Sequence, residues 1–317
     1  MTRWKAADIP DQSGKVAVVT GANSGLGYHT ALELARRGAR VVVASRSDVR
    51  GKEAVARIIA EVPDADLDHR SLDLADLASI RAFADAVGSS YPAIDLLVNN
   101  AGVMAIPRAS TADGFEMQFG TNHLGHFALT GLLLPCLLGA PSARVVTVSS
   151  NAHKGGHIDF DDLMAQRRYR RWIVYSNTKL ANLLFTYELQ RKLADAGVPA
   201  IAVAAHPGTS ATNLVAVSAQ DNIVKRLVMP IGARLISQSA AQGALPQLYA
   251  ATAPDVRGGE YFGPNGIAES FGYPKRVDSI PESKDPEVAA RLWAVSADLT
   301  GVSYDALPPG SGSRRPA

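Results

Sequence analysis

A tyrosine and a lysine stand four residues apart in the stretch "YSNTK", at Tyr175 and Lys179. Apolar residues recur at helical spacing downstream of them, which predicts one helix from Tyr175 to about Leu193. Residues at i and i+4 lie on the same helix face, so the phenol and the ammonium are expected to be neighbours. A nearby ammonium favours the phenolate, so this pair could transfer a proton near neutral pH. A solvated helix face with two unrelated polar groups is the alternative.

Composition narrows the class of protein. The chain has 317 residues and 32 basic against 30 acidic side chains, which is typical of a globular protein with no nucleic-acid partner. Cys136 is the only cysteine, so an intrachain disulfide and a cysteine metal cluster are excluded, and no metal site is expected. The N-terminus lacks the apolar core of a signal peptide, and Pro135 breaks the longest apolar run. We therefore expect a cytoplasmic protein without stable membrane insertion.

The elements that must position the tyrosine follow from an alternating pattern. Short apolar runs such as "KVAVVT" at 15–20 and "RVVVAS" at 40–45 are separated by amphipathic helices. A long helical stretch is expected from about Gly114 to Leu138, before the strand "ARVVTVSS". Unbroken apolar strands between helices predict a parallel sheet covered on both faces. Right-handed crossovers then give a doubly wound, Rossmann-type α/β fold.

We expect one domain over residues 1–317. It includes an N-terminal extension at 1–14 and a flexible tail at 308–317, which is rich in proline, glycine and serine. An insert at about 210–240 is expected to form a mobile lid over an apolar substrate, since Pro230 interrupts its helical periodicity.

The stretch "TGANSGLG" follows the first predicted strand and opens the first helix. Glycines there permit a tight turn and a close approach of the backbone to a pyrophosphate, which the helix N-terminus would bind. A glycine-rich turn in this strand–helix context predicts a dinucleotide site. The residues expected to form it are Gly21, Asn23, Ser24, Gly25, Leu26 and Gly27.

The ends of the next two strands indicate which dinucleotide binds. The second strand ends in Ser45 and Arg46, where an NAD site usually carries an acid, so NADP(H) is preferred and NAD(H) remains possible. Asp73, followed by Leu74, is placed to accept from the adenine amine at the end of the third strand. A helix N-terminal cap is an equally open role for Asp73.

Six motifs, in this order and spacing, resemble the short branch of the short-chain dehydrogenase/reductase family over about residues 14–265. They are "TGANSGLG", "NNAG" at 99–102, Asn122 in "GTNHLGHF", "VSS" at 148–150, "YSNTK" and "HPG" at 206–208. The context of "YSNTK" and "HPG" is most similar to the retinol dehydrogenase-like subgroup. The resemblance implies hydride transfer between a nicotinamide cofactor and a carbonyl/alcohol pair.

The resemblance also implies roles for single residues. Tyr175 would be the general acid in reduction and the general base in oxidation, with Lys179 lowering its pKa and holding the nicotinamide ribose. Ser150 would donate to the substrate oxygen; Ser149 competes, because adjacent strand residues face opposite sides. Asn122 would hold a water that links Lys179 to solvent, and a local helix irregularity is the alternative.

Two further segments would meet the cofactor. The "NNAG" segment would stabilise the sheet end and the adenosine side through Asn100, Ala101 and Gly102. The "HPG" segment would meet the nicotinamide carboxamide through Pro207, Gly208 and Thr209. His206 precedes a proline and is interpreted as structural.

The function predicted from these residues is an NADP-dependent oxidoreductase acting on a lipophilic alcohol, aldehyde or ketone. A catalytically silent NADP-binding regulatory protein is the alternative, and the four catalytic residues argue against it. The glycine spacing opposes a sugar-nucleotide epimerase. The resemblance implies a homodimer or homotetramer in which the helices at 114–138 and 175–194 pair across a two-fold axis.

Overall fold

The computed structural model describes residues 3–209 and 238–308. An eight-stranded sheet in the order β3-β2-β1-β4-β5-β6-β7-β8 forms its centre. All neighbouring strands are parallel except β8, which runs antiparallel to β7 at one edge. In chain order the strands are β1 (Val16–Thr20), β2 (Arg40–Ser45), β3 (Leu67–Ser71), β4 (Leu96–Asn99), β5 (Arg144–Val148), β6 (Ile201–Ala205), β7 (Tyr261–Pro264) and β8 (Pro274–Val277).

The helices of the described residues lie on both faces of this sheet. In chain order they are α1 (Gly25–Arg36), α2 (Asp48–Glu61), α3 (Leu77–Ser90), α4 (Met117–Phe119), α5 (Gly125–Leu132), α6 (Leu134–Gly139), α7 (Arg171–Asp195), α8 (Ala240–Thr252) and α9 (Pro286–Thr300). The predicted doubly wound, Rossmann-type α/β fold is therefore confirmed.

Burial on both faces explains why the strands are apolar throughout. Val42 and Val43 are adjacent in β2 and point to opposite sides of the sheet. Val43 packs in one core with Leu34 of α1, and Val42 packs in the other core with Phe83 of α3. Because each face meets a layer of helices, both valines are fully buried.

The helical stretch predicted from about Gly114 to Leu138 is observed from Met117 to Gly139, but it is not one regular α-helix. A π-helical turn at Gly120–Leu124 separates α4 from α5, and a further break precedes α6, where Pro135 stands in the first turn. A Cβ atom on Gly125 would lie 2.5 Å from the carbonyl oxygen of Leu74, so α5 packs too closely there for any side chain. Extra π-helical residues often mark functional positions, and this turn contains Asn122.

The C-terminal elements α8, β7, β8 and α9 were not predicted from the sequence. Helix α9 packs on the outer faces of α5 and α7, where Trp293 stacks on Phe185 with ring centroids 5.8 Å apart and meets Phe127 at 5.0 Å. The homodimer or homotetramer stays a prediction. Because α9 already covers part of α5 and α7, a second copy that paired through α5 and α7 would have to contact them beside α9.

The N-terminal extension folds onto the core, with Ile9 buried and the ring of Trp4 5.2 Å from that of Tyr249. The predicted lid lies outside the described residues apart from 238–240, and the tail lies outside them from 309 onward. Among the helices of the described ranges, none is long and apolar enough to cross a membrane.

Candidate active site

The predicted site residues gather at the carboxyl edge of the sheet. Strand order reverses between β1 and β4, and such a switch point is where open α/β sheets bind ligands. The glycine turn follows β1, the "NNAG" segment overlaps the end of β4, the two serines follow β5 and the "HPG" loop follows β6. Residues from four separated parts of the chain therefore share one edge.

The glycine turn has the geometry that a pyrophosphate needs. Gly21 and Gly25 have φ angles of 67° and 56°, a region that favours glycine. A Cβ atom on Gly27 would lie 2.4 Å from the Gly21 carbonyl oxygen, so α1 packs directly on the turn. Helix α1 begins at Gly25 with Ser24 at its N-cap, and the N–H groups of a first helical turn lack intrahelical partners. The residues present fit a dinucleotide phosphate.

Thr20 connects this turn to the rest of the site. Its hydroxyl accepts from the backbone N–H groups of Asn100 and Ala101, each at 2.9 Å, and lies 3.0 Å from Nε2 of His126. The other ring nitrogen of His126 lies 3.1 Å from the carbonyl oxygen of Asn122. That carbonyl can only accept, so the neutral imidazole carries its proton on Nδ1. Its Nε2 atom and the Val98 carbonyl oxygen, 3.3 Å from the Thr20 hydroxyl, are then the acceptors for the Thr20 proton. Both residues lie within motifs of the sequence, "TGANSGLG" and "GTNHLGHF", but sequence reasoning gave neither a role because their contact spans distant parts of the chain.

Burial keeps this imidazole neutral. His126 lies fully inside the protein, and burial lowers its pKa to about 4, while its hydrogen bond to Asn122 acts in the opposite direction. The neutral ring can accept from Thr20 on Nε2 while it donates from Nδ1 to the Asn122 carbonyl oxygen. The neutral ring therefore ties the end of β1 to the π-helical turn.

An open cleft of about 580 Å³ adjoins the glycine turn. Asn23 and Ser24 line one side, and Arg50, Glu53 and Arg57 of α2 are among the residues on the other. The Arg57 guanidinium donates to the Asn23 carbonyl oxygen at 3.0 Å, which holds α2 against the turn.

Two predicted residues at the end of β2 differ in placement. Arg46 is exposed beside the cleft's helix, whereas Ser45 is buried. The Ser45 hydroxyl donates to the Ser47 carbonyl oxygen at 3.1 Å and lies 3.2 Å from Nε2 of His69. The Ser45 side chain is therefore engaged within the protein.

The segment after β3 resolves one of the alternatives for Asp73. Helix α3 is capped by Asp76, whose carboxylate accepts from the N–H groups of Ala78 and Ser79, so the cap role does not belong to Asp73. Asp73 accepts from the Ala75 N–H at 3.0 Å within the turn. Leu74 is buried under α5.

Helix α7 carries the predicted pair Tyr175 and Lys179. Tyr175 is 7% exposed, and burial raises its pKa to about 12, while a hydrogen bond with Ser150 acts to lower it. The Ser150 oxygen accepts from the Ala152 N–H at 3.2 Å, capping the short 3₁₀ turn Asn151–Gly155. Because the hydroxyl accepts there, its own proton stays free to be donated. Ser150 and Tyr175 thus meet at the carboxyl edge of the sheet.

Lys179 lies beneath the tyrosine ring. Its Nζ atom is 5.6 Å from the Tyr175 ring centroid and donates to the Val148 carbonyl oxygen at 3.0 Å. The side chain is 5% exposed, and burial lowers its pKa to about 8. The expected lowering of the Tyr175 pKa does not arise from the protein groups, since burial of the phenol dominates.

Ser149 points away from the tyrosine. It is buried, and its hydroxyl donates to the Lys179 carbonyl oxygen at 2.7 Å. Adjacent residues at the end of a strand face opposite sides, so Ser150 faces Tyr175 while Ser149 fastens β5 to α7.

Asn122 is fully buried in the π-helical turn. Its side-chain oxygen accepts from the Val103 N–H at 2.8 Å, and its amide nitrogen donates to the Val103 carbonyl and to Thr178, at 2.9 and 3.0 Å. The side chain therefore joins the segment after β4 to α7. A Cβ atom on Gly102 would lie 2.9 Å from the Asn122 side-chain oxygen and 3.8 Å from Lys179 Nζ, so these three residues adjoin one another.

The "HPG" loop closes the site on the β6 side. Gly208 has a φ angle of 64°, and its N–H donates to Nδ1 of His206 at 3.2 Å. The Pro207 carbonyl accepts from the Gln238 side chain at 2.6 Å, and the Thr209 N–H donates to Ser270 at 2.7 Å. Partners contributed by residues beyond 237 therefore hold this loop.

A doubly wound sheet with a glycine turn, and with the buried Tyr175 and Lys179 beside Ser150 at its carboxyl edge, is typical of nicotinamide-dependent oxidoreductases. The chain belongs to the short-chain dehydrogenase/reductase family: the family described as short chain dehydrogenase matches residues 15–223. It is an enzyme of carbonyl/alcohol oxidoreduction, and the predicted likeness to retinol dehydrogenases is confirmed.

Three comparisons define the similarity. The chain is 43% identical to retinol dehydrogenase 12 of Mus musculus, over 92% of this chain and 88% of that protein. It is similar to a solved protein from Mycobacterium paratuberculosis, with 46% identity, a TM-score of 0.80, and 96% and 99% of the two chains covered. A Beutenbergia cavernae protein crystallised with bound NADP has 26% identity and a TM-score of 0.59, with 76% and 91% covered.

Proposed function

We propose that the protein reduces an apolar aldehyde or ketone with NADPH and uses Tyr175 as the proton donor. The observation that carries this proposal is the contact of a buried Tyr175 with Ser150 at the carboxyl edge of the sheet. A bound nicotinamide would supply the hydride that such a reduction needs. The catalytically silent alternative is not favoured, because the relatives of the chain are dehydrogenases.

The protein's own groups would act on the carbonyl oxygen. Burial raises the pKa of Tyr175 to about 12, so the phenol is protonated at neutral pH and can act as an acid. Ser150 would donate a second hydrogen bond to the same oxygen as negative charge develops there. Lys179, with a pKa of about 8, is mainly charged at neutral pH and would hold the ribose from beneath.

Three arginines support the preference for NADP. Arg50 and Arg57 line the cleft beside the glycine turn, and Arg46 is exposed at the end of β2. A guanidinium presents a planar fork of donors that suits a 2′-phosphate. The residues that line the cleft include two arginines and one acid, Glu53, so positive charge predominates there. The related protein that was crystallised with NADP agrees with this choice.

An apolar wall beside the tyrosine supports a lipophilic substrate. Trp172 precedes Tyr175 by one turn of α7, and their ring centroids are 6.3 Å apart in an edge-to-face arrangement. The indole is 50% exposed, so it offers apolar surface at the site of proton transfer. The relatives named for retinol suggest the same class, a long apolar alcohol and its aldehyde.

The test is consumption of NADPH and of NADH with a series of straight-chain aldehydes and one short polar aldehyde. We expect kcat/KM with NADPH to rise with chain length, by roughly tenfold for each pair of buried methylenes. Trp172→Ala should flatten this rise, whereas the control Ile59→Ala, which removes an exposed side chain of α2, should leave it unchanged. Preference for the polar aldehyde, or a flat series in the unaltered protein, would contradict the proposed substrate class.

A further inference from the structure

The turn after β7 contains an unusual backbone conformation. Ala268 and Glu269 are consecutive non-glycine residues with φ angles of 49° and 56°. Residues other than glycine rarely adopt positive φ angles. Within 3–209 and 238–308, no other pair of adjacent non-glycine residues has them. Such conformations persist only when surrounding contacts hold them, so the contacts of Glu269 indicate what the turn is for.

The turn aims the Glu269 carboxylate into the protein. Its Oε2 atom lies 3.2 Å from Nε2 of the buried His206 and 3.6 Å from Nζ of Lys154 at the surface. The Glu269 side chain is 19% exposed. Neither Oε2 nor His206 Nε2 has an aligned hydrogen-bond partner among the described residues, so the 3.2 Å contact is close but off-axis.

The tautomer of His206 follows from its other nitrogen. Nδ1 accepts the backbone N–H of Gly208 at 3.2 Å, so a neutral ring carries its proton on Nε2, the atom that faces Glu269. A carboxylate opposite Nε2 favours the tautomer with its proton on Nε2. The other tautomer carries its proton on Nδ1 and could not accept from the Gly208 N–H. The carboxylate therefore lies against the protonated nitrogen of the ring whose Nδ1 atom accepts from the "HPG" loop.

The same turn also holds the segment that follows Ser150. Asn151 donates from its side chain to the Ala268 carbonyl oxygen at 3.2 Å, and Lys154 in the same 3₁₀ turn pairs with the carboxylate. On the other side, the Thr209 N–H donates to the Ser270 carbonyl oxygen at 2.7 Å. The turn is thus fastened to both segments that border the reaction site.

Packing leaves little freedom for another arrangement. A Cβ atom on Gly263 would lie 2.0 Å from His206 Nε2, and one on Gly208 would lie 2.5 Å from the Ser270 carbonyl oxygen. The histidine ring and the loop therefore sit in direct contact with the β7 backbone and the turn.

We propose that Glu269 is a positioning residue, which holds the His206–Thr209 loop and the Ser150 segment at a fixed separation. This inference rests on the proposed function, in which Ser150 meets the substrate oxygen, and on the expectation from the family resemblance that the loop meets the nicotinamide carboxamide. Sequence reasoning interpreted His206 as structural and gave Glu269 no role. The structure assigns both to the orientation of the nicotinamide.

The test compares Glu269→Ala and Glu269→Gln with Glu282→Ala, an exposed acidic residue on another turn. The emission of bound NADPH, which reports the surroundings of the nicotinamide, is measured together with the Kd for NADPH. We expect Glu269→Ala to lose about half or more of the emission change, while its Kd stays within about threefold because the adenosine end is untouched. Glu269→Gln keeps an acceptor of the same shape opposite Nε2 and should restore the emission.

Turnover gives the second readout. On any carbonyl that the unaltered enzyme reduces, kcat of Glu269→Ala should fall about tenfold or more, with Glu269→Gln and Glu282→Ala near the unaltered rate. If Glu269→Ala does not fold, Glu269→Asp keeps the charge but withdraws the carboxylate, and it should show the same losses. Emission unchanged in a folded Glu269→Ala or Glu269→Asp protein overturns the inference even if no carbonyl is reduced. Absence of any reduction by the unaltered enzyme, with the emission losses present, would instead reject the proposed function alone.

Discussion

The two ends of the site are built differently. At the adenosine end, Arg46, Arg50 and Arg57 are exposed around an open cleft. At the reaction end, Tyr175 and Lys179 are buried. Burial there favours the uncharged form of each group. It raises the pKa of the Tyr175 phenol to about 12 and lowers the pKa of the Lys179 ammonium to about 8.

The two ends of the site therefore depend on different interactions: exposed charges at one end and buried polar groups at the other. Exposed charges act in a high-dielectric surrounding, so each contributes modestly and can be replaced without disturbing the fold. Buried polar groups have few alternative partners, so each change also affects its neighbours. Substitutions at the reaction end should therefore have large effects on rate, and those at the adenosine end should have smaller effects on cofactor choice.

The largest effect is expected from Tyr175→Phe. The ring would keep its packing and lose only the hydroxyl, so turnover should fall by roughly 10²- to 10⁴-fold while the Kd for NADPH stays nearly constant. Steady-state rates on an accepted aldehyde, paired with NADPH titration, measure both. A phenylalanine variant that keeps most of its activity would mean that another group transfers the proton.

Ser150→Ala should rank second and separates the two serines. Loss of one donor to the developing oxyanion should lower kcat by roughly 10²-fold, with little effect on cofactor binding. Ser149→Ala is the matched control, because its hydroxyl bonds the Lys179 carbonyl instead. It should cost about 1 kcal/mol of the free energy of unfolding and have a milder effect on rate. Equal losses of kcat in the two variants would argue against a direct role for Ser150.

The pH dependence should follow Lys179. Burial lowers its pKa to about 8, so the ammonium loses its proton as pH rises through that value, and the ribose contact weakens. The reductive kcat/KM should then decline above about pH 8, approaching tenfold per pH unit if only the charged form is active. The sign for stability is opposite, since the unfolded state binds more protons between about pH 8 and 10.5, and folding becomes more favourable across that window. A rate that stays flat from pH 7 to about pH 10 would exclude Lys179 as the titrating group.

The smallest effects are expected at the arginines. Arg46→Ala and Arg50→Ala should each reduce the preference for NADPH over NADH by about tenfold, the loss of one charge-assisted hydrogen bond to a 2′-phosphate. Arg257→Ala removes an exposed arginine far along the chain and serves as the control. The ratio of the two Kd values is the measurement. Tighter binding of NADH than NADPH by the unaltered protein would contradict the predicted cofactor.

The sequence alone determined the fold class, and it located the motifs that carry most of the predicted catalytic residues. Apolar runs and helical periodicity are local properties, so β2 was predicted at 40–45 and is observed at Arg40–Ser45. The glycine turn, Ser150 and the i, i+4 pair at Tyr175 and Lys179 were found because each lies in a short motif beside a strand or in a helix. Local sequence predicted the helical stretch at 114–138 but not the π-helical turn within it, after which α5 packs directly on Leu74.

Only the tertiary structure decided which polar groups meet. Thr20 and His126 are 106 residues apart, and Glu269 and His206 lie on opposite sides of residues 210–237, so no spacing in the chain relates them. The choice between Ser149 and Ser150 also needed the position of α7, which takes one hydroxyl for its backbone and leaves the other beside Tyr175. Burial is likewise a property of the whole fold, and it sets the pKa values of Tyr175 and Lys179 in directions that an isolated helix would not produce.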